Sequence, residues 1–251
     1  MRTGSYGPGS VRDALVLAAG NGDRFKTGTR QSKLLQPVLG QPLILRTLST
    51  AHAAGISSFE IIIGYEADAV RAAIERGAPS GVSLNFTVNP DWHLENGVSA
   101  LAARERLSDR RFALLMGDHL FESDVLARLL ATPADVDESL LAVDTRTAPP
   151  DIAAEATKVR MDDSRITAIG KDLVEYDALD TGLFVCAPAL FPALEEARAA
   201  GDTTLSGGIR RLAALGLMRA VEIGNAAWYD IDTPADLQSA EILLASQPEH
   251  A

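Results

Sequence analysis

The sequence predicts an α/β protein: a mainly parallel, mixed sheet flanked by helices on both faces, with a β-rich flap in the second half. Three observations carry this expectation. Short apolar runs alternate with segments of helical spacing through the first 145 residues. Gly20 and Gly22 follow directly on the first apolar run. From Thr157 the rhythm changes to a hairpin, with Thr157–Met161 and Arg165–Ile169 flanking the turn-rich Asp162-Asp163-Ser164.

Taken in order, Ala14–Leu17 is a buried strand that stops at the glycines. Leu43–Ala54 has helical spacing and ends at Gly55. Phe59–Ile63 is β-branched and reads as a second strand. Asp68–Arg76 is helical, Val82–Val88 alternates as a third strand, and Val98–Leu107 is helical. Phe112–Met116 is a strand running into Gly117-Asp118, Asp124–Leu130 a helix and Leu140–Val143 a strand. Beyond the hairpin come a strand at Leu183–Cys186 and helices at Pro188–Ala199, Ile209–Leu215 and Pro234–Leu244. The 251 residues are 47% hydrophobic, enough for one substantial core, and no long linker or repeat divides them. The expectation is a flexible tail over residues 1–10 and a single domain over 11–246, with halves at 11–145 and 146–246.

The formal net charge is -11. Such a surface repels nucleic acid and anionic membranes, which removes both as partners. An anionic ligand would need local cations, and a divalent ion, to reverse that field. The lone cysteine, Cys186, excludes an internal disulfide and a paired-thiol metal site; its apolar neighbours predict a buried core thiol. No apolar run reaches the roughly 18 residues of a membrane span. Residues 1–10 are Gly- and Ser-rich without an apolar stretch, so a cytoplasmic protein without stable membrane insertion is expected. Oligomeric state is not legible.

The chemistry concentrates in a few strings. Leu17-Ala18-Ala19-Gly20-Asn21-Gly22-Asp23-Arg24 joins a strand to a glycine turn and a basic residue, with Lys33 nine residues on. Glycines there let backbone N–H groups face phosphate oxygens. Arg24 adds a planar fork of donors and Lys33 a mobile cation. Phe25 stands where a dinucleotide fingerprint needs its third glycine, and no Gly-Lys-Ser/Thr follows as in a Walker loop. The bland alternative is a strand-to-helix turn with solvated charges. Asp118 ends a buried strand, where a carboxylate needs a cation. Asp230 and Asp232 alternate ahead of a helix; with Asp118 they offer oxygens suited to Mg²⁺. Asp232-Thr233-Pro234 equally fits a helix N-cap. Asn96, Gly97 and Ser99 open a helix as a polar loop, where Gly97 admits a flat base and Ser99 can bond its edge, or where Asn96 merely caps. His119 is one of four histidines without ligand spacing and reads as a hydrogen-bonding neighbour, not a metal ligand or acid–base group. Lys158 and Lys171 stand beside Asp162, Asp163 and Asp172, as solvated lysines would.

The opening string, with Ser32-Lys33 behind it, resembles the signature of the sugar-phosphate nucleotidyltransferase superfamily. The likeness continues. Asn89-Pro90-Asp91-Trp92 with Glu95-Asn96-Gly97-Val98-Ser99 resembles the base-reading segment of the cytidylyltransferase branch, and Met116-Gly117-Asp118-His119 its first metal motif. Glu155-Ala156-Thr157-Lys158-Val159, Ile169-Gly170-Lys171-Asp172-Leu173 and Leu179-Asp180-Thr181-Gly182-Leu183-Phe184 resemble its acceptor flap, and Trp228-Tyr229-Asp230-Ile231-Asp232-Thr233 its second metal motif. Together they are most similar to the CTP:inositol-1-phosphate cytidylyltransferase family, in a stand-alone form. The resemblance implies a Rossmann-like, nucleotide-diphospho-sugar transferase (GT-A-like) fold, with CTP in the first half and the acceptor in the second. It implies CTP contacts from Leu17, Ala18, Ala19, Gly20, Gly22, Asn96, Gly97 and Ser99. Acceptor contacts, to a small phosphorylated polyol, fall to Glu155, Lys158, Asp180 and Thr181. Arg24, Lys33 and Lys171 become catalytic, and Mg²⁺ rests on Asp118, Asp230 and Asp232, with Asp230 favoured as the direct ligand. Its product would feed a membrane CDP-alcohol phosphotransferase. Other acceptors (phosphocholine, a phosphonate, a hexose 1-phosphate), a silent regulatory subunit of the same fold and a glycosyltransferase using Asp230-Ile231-Asp232 are the competing readings.

Overall fold

A computed structural model describes residues 5–6, 11–23, 25, 31–148 and 150–246. The chain opens its sheet with β1 (Asp13–Ala18), whose last five residues are buried. Then follow α1 (Leu43–Ala53), β2 (Ser58–Ile63), α2 (Ala67–Gly77), β3 (Ser83–Val88) and α3 (Asn96–Leu101). The first half closes with β4 (Phe112–Met116), β5 (His119–Phe121), α4 (Ser123–Ala131) and β6 (Ser139–Asp144). The second half supplies β7 (Lys158–Asp162), β8 (Arg165–Gly170), β9 (Ala178–Cys186), α5 (Leu190–Ala199), α6 (Leu205–Ala214), β10 (Met218–Glu222), β11 (Trp228–Asp230) and α7 (Pro234–Ser246).

Nine strands form one sheet in the order β6-β10-β8-β7-β9-β4-β1-β2-β3, drawn from both halves of the chain. β4, β1, β2 and β3 run parallel. β9 joins β4 antiparallel, which makes the sheet mixed. Two apolar clusters fill its faces. One sets Val16, Ile61, Ile63 and Leu115 against α1 and α4; the other sets Leu15, Leu114 and Phe184 against α5 and α6. Parallel strands covered on both faces read as continuous apolar runs, which is why β1 and β2 are visible in the sequence. Cys186 is fully buried in the second cluster, as its neighbours predict.

The departures have physical causes. Val98–Leu107 is two short helices, Asn96–Leu101 and Arg104–Leu107, because the backbone tightens between them: Ala102 N–H reaches Ser99 O at 3.2 Å and Ala103 N–H reaches Ala100 O at 3.2 Å. The helix expected at Ile209 starts four residues earlier, capped by Thr204 Oγ1, which accepts from Gly207 N–H. The strand expected at Leu183 begins at Ala178. A short helix at Pro150–Glu155, strand β10 and the ribbon of β5 with β11 carry no clear periodic signal. Most of the expected N-terminal tail lies outside the described residues, but Ser5–Tyr6 pairs with Ala134–Asp135 and is therefore structured.

Candidate active site

In open α/β sheets, ligands sit beyond the carboxyl ends of parallel strands. A cleft of about 510 Å³ lies there, lined by Leu17, Ala18, Gly20, Asn21, Gly22 and Asp23 on one side and Trp92 to Glu95 on another, with Lys33, Asp118 and Asp232 also on its walls. Gly22 has φ +61°, and a Cβ there would sit 2.9 Å from Lys33 Cβ, so the turn requires glycine. Ala19 is buried behind the turn, its carbonyl accepting from Tyr65 N–H at 2.9 Å. Arg24 lies outside the described residues.

Lys33 opens a single 3₁₀ turn, Lys33–Leu35, capped by Ser32, and Ser32 N–H donates to Glu66 Oε2 at 2.5 Å. That anchoring drives the ammonium inward: Lys33 is 7% exposed, 2.8 Å from Asp118 Oδ2 and 3.1 Å from Asp232 Oδ1. Burial alone would pull its pKa down, yet Asp118, Asp232 and Asp230 together hold it above the ordinary lysine value.

Asp118 follows β4 and leads into β5, which pairs with β11 so that His119 faces Asp230. One oxygen of Asp118, one of Asp230 and a ring nitrogen of His119 lie within 4.8 Å of one another. Two carboxylates and an imidazole at that spacing fit one divalent cation. The ring of His119 is fixed from every side. Its Nδ1 donates to Thr181 O at 2.9 Å, its Nε2 stands 3.4 Å from Asp230 Oδ1, and Trp228 lies beneath it. Gly182 makes the room: its φ is +75°, and a Cβ there would meet the ring at 2.4 Å. Burial lowers the His119 pKa, but Asp230, Asp118 and the Thr181 carbonyl outweigh it and raise it to about 9. A bound cation would push the other way. His119 thus belongs to the carboxylate cluster, a place its spacing in the sequence does not reveal.

The second acidic motif is held by a staple. Trp228 Nε1 donates to Asp144 Oδ2 at 2.9 Å, and Arg146 grips the same carboxylate at 2.7 and 2.8 Å while reaching the carbonyls of Asn225 and Ala226. Desolvation raises the Asp144 pKa, but Arg146 and Trp228 prevail and hold it below the ordinary value. The N-cap of α7 falls to Thr233, whose Oγ1 accepts from Asp236 N–H while Asp236 Oδ2 accepts from Thr233 N–H. Asp232 is therefore not the cap; its carboxylate reaches Lys33, whereas Asp230 joins Asp118 and His119.

The remaining expected site residues are placed differently. Asn96 Oδ1 accepts from Leu205 N–H at 2.9 Å, capping α6 from outside its own helix. A Cβ on Gly97 would meet the Thr203 carbonyl at 2.6 Å, so this glycine serves helix packing, and Ser99 Oγ is buried accepting from Asn89 Nδ2 at 2.9 Å. None of the three lines the cleft; Trp92, His93, Leu94 and Glu95, just before them, do. Trp92 is set by an edge-on contact with Tyr65 and by Gly64, where a Cβ would fall 2.4 Å from Trp92 Cβ. On the flap, Lys158 Nζ donates to Lys171 O at 2.6 Å; Lys171 and Glu155 are exposed, and neither lysine nor Glu155 lines the cleft. Asp180 Oδ1 accepts from Gly182 N–H at 2.7 Å, and desolvation pushes its pKa up to about 6. Thr181 is buried, and its hydroxyl donates to Ala142 O at 2.8 Å. Its side chain is thus engaged inside the sheet and its carbonyl accepts from His119, away from the flap surface where the acceptor contact is expected.

Residues 14–215 match the MobA-like NTP transferase domain, and the chain belongs to that family. More particularly, it is 38% identical over 248 residues to the bifunctional IPC transferase and DIPP synthase of Rubrobacter xylanophilus, a match over 96% of this chain and 53% of that protein. It is 32% identical over 257 residues to CMP-5'-(3-aminopropyl)phosphonate synthase of Streptomyces rubellomurinus, over 94% of this chain and 39% of that one. The chain thus spans about half the length of the curated relatives it matches, or less. Among solved structures, the inositol-1-phosphate CTP transferase from T. maritima superposes with a TM-score of 0.83 at 26% identity, over 97% of this chain and 99% of that chain.

Proposed function

We propose that the chain transfers CMP from CTP to inositol 1-phosphate, giving CDP-inositol and pyrophosphate. The observation that carries this reading is the end-to-end likeness to the T. maritima inositol-1-phosphate CTP transferase, in a chain whose Lys33, Asp118, Asp230 and Asp232 converge at the strand ends. Residues 11–246 form the single catalytic domain, CTP lying against 11–145 and the acceptor against 146–246.

The chemistry needs no general base. A phosphate monoester is mostly dianionic at pH 7, its second pKa being about 6. An acceptor phosphate oxygen attacks the α-phosphorus of CTP in line, the bond to the bridging oxygen breaks, and pyrophosphate leaves. The Gly20–Asp23 backbone cradles the triphosphate, while Lys33 and Arg24 neutralise its charge. Asp118 and Asp230, with His119 beside them, would hold Mg²⁺, which neutralises and orients phosphate oxygens when bound. Trp92 to Glu95 form the wall nearest the base. Lys158 and Lys171, with Glu155 and Asp180, guide the acceptor from the flap. The reaction proceeds in the cytoplasm, and CDP-inositol passes to a membrane CDP-alcohol phosphotransferase; the DIPP synthase half in the relatives' names supports that link.

Pyrophosphate release measured over four nucleoside triphosphates and several acceptors tests the reading. CTP with inositol 1-phosphate is expected to turn over fastest; a different preferred pair would replace it. A phosphonate acceptor is the second reading, favoured by the likeness to the Streptomyces synthase, and an aminoalkylphosphonate in the same screen separates the two.

A further inference from the structure

Asp118 divides its two oxygens between two neighbours. Oδ2 meets the Lys33 ammonium at 2.8 Å, while Oδ1 faces His119 Nε2 at 3.9 Å, on the side of Asp230. A cation held by Asp118 and Asp230 therefore shares one carboxylate with a lysine already bound to it. Lys33 cannot easily retreat. Its second carboxylate, Asp232, lies 3.1 Å away, and the Gly22 turn packs against its stem. Like charges on opposite oxygens of one small carboxylate repel strongly where water is scarce, and salt screens them little.

We propose that Lys33 suppresses divalent-cation binding in the nucleotide-free chain, so that the cation is taken up together with the triphosphate. The inference rests on the reading that Asp118 and Asp230 hold the cation. A triphosphate on the Gly20–Asp23 turn brings negative charge to the same cleft wall as Lys33. It offers the ammonium a further anionic partner, loosens its hold on Asp118 and screens it from the cation. Cation and nucleotide then strengthen each other's binding through one side chain, by equal factors in both directions.

Mn²⁺ binding to the full chain without nucleotide, followed by calorimetry and electron paramagnetic resonance, is the test. Lys33→Gln, which keeps a polar donor beside both carboxylates, and Lys33→Met are expected to bind Mn²⁺ about tenfold or more tightly than the wild type. Lys33→Arg, which keeps the charge, stays within about threefold. Arg76→Gln, at an exposed position, reports the effect of overall charge and leaves the affinity unchanged. Wild-type affinity in both neutral Lys33 variants overturns the proposal, as does equal tightening by Arg76→Gln. Asp118→Asn separates this failure from that of the cation reading: if it binds Mn²⁺ like the wild type, the cation assignment itself falls, whatever Lys33 does.

Discussion

The cleft wall and the flap are built on opposite plans. On the wall, charged groups are drawn inward and given partners: Lys33 is 7% exposed and reaches two carboxylates. On the flap, Lys171 and Glu155 sit on the surface, and Lys158 is satisfied by a backbone carbonyl. Under the proposed function, the nucleotide side is thus preorganised by the sheet, whereas the acceptor side presents surface side chains whose geometry the acceptor completes. Preorganised charge contributes most to rate, and adaptable surface charge contributes to binding and selectivity.

The sharpest way to break this contrast is at Lys33. Lys33→Ala is expected to lower turnover by about 10²-fold or more, and Asp118→Asn to abolish cation-dependent turnover; near wild-type rates in the first, or an unchanged cation titration in the second, would dissolve the preorganised wall. Next comes Gly182. Gly182→Ala forces a strained φ and drives a methyl into His119, so denaturant melts should show a loss of about 1–3 kcal/mol. On the flap, Lys171→Ala should raise the KM for the acceptor about tenfold, the scale of one charged contact, and leave the KM for CTP alone. A parallel rise in both would merge the two regions. Asn96→Ala should cost about 1 kcal/mol of stability, as a lost cap does, without affecting CTP. A raised KM for CTP at undiminished stability would return Asn96 to base reading. The smallest effect is at Cys186. Burial pushes its thiol up to about 12, so native protein at pH 8 should resist alkylation while unfolded protein reacts quickly.

The contrast also explains what the sequence could tell. β1, β2 and β4 were legible because strands covered on both faces must be apolar throughout, and the turn at Gly20 and Gly22 announced itself by where it falls. The ribbon of His119–Phe121 with Trp228–Asp230 was not legible, since three-residue strands have no period and the partners lie more than a hundred positions apart. For the same reason residue pattern alone offered Asp230 and Asp232 as equals, and only the family resemblance favoured Asp230; in the structure the Thr233–Asp236 cap and the reach of Lys33 separate them. His119 is the hydrogen-bonding neighbour the sequence suggested, but ligand spacing along the chain says nothing about a ring seated over Gly182 beside Asp230. Asn96, Gly97 and Ser99 show the opposite difficulty. Their types suit a base, but in the structure Asn96 caps α6, Ser99 accepts from Asn89 and Gly97 packs against Thr203, while Trp92 to Glu95 line the cleft. On the flap, residue type alone could not reveal that Thr181 turns into the sheet.

The stapled ribbon carries a lesson about modularity. The family match ends at residue 215, yet Asp232 on the cleft wall and Asp230 beside Asp118 and His119 lie beyond it, delivered by a clasp that Asp144 and Arg146 fasten from the middle of the chain. A gene trimmed to the matched segment would encode the Gly20–Asp23 turn and Lys33 with only Asp118 of the three carboxylates that raise the lysine's pKa. Any chimera built from this scaffold must therefore inherit the fastener and the clasp as one heritable unit.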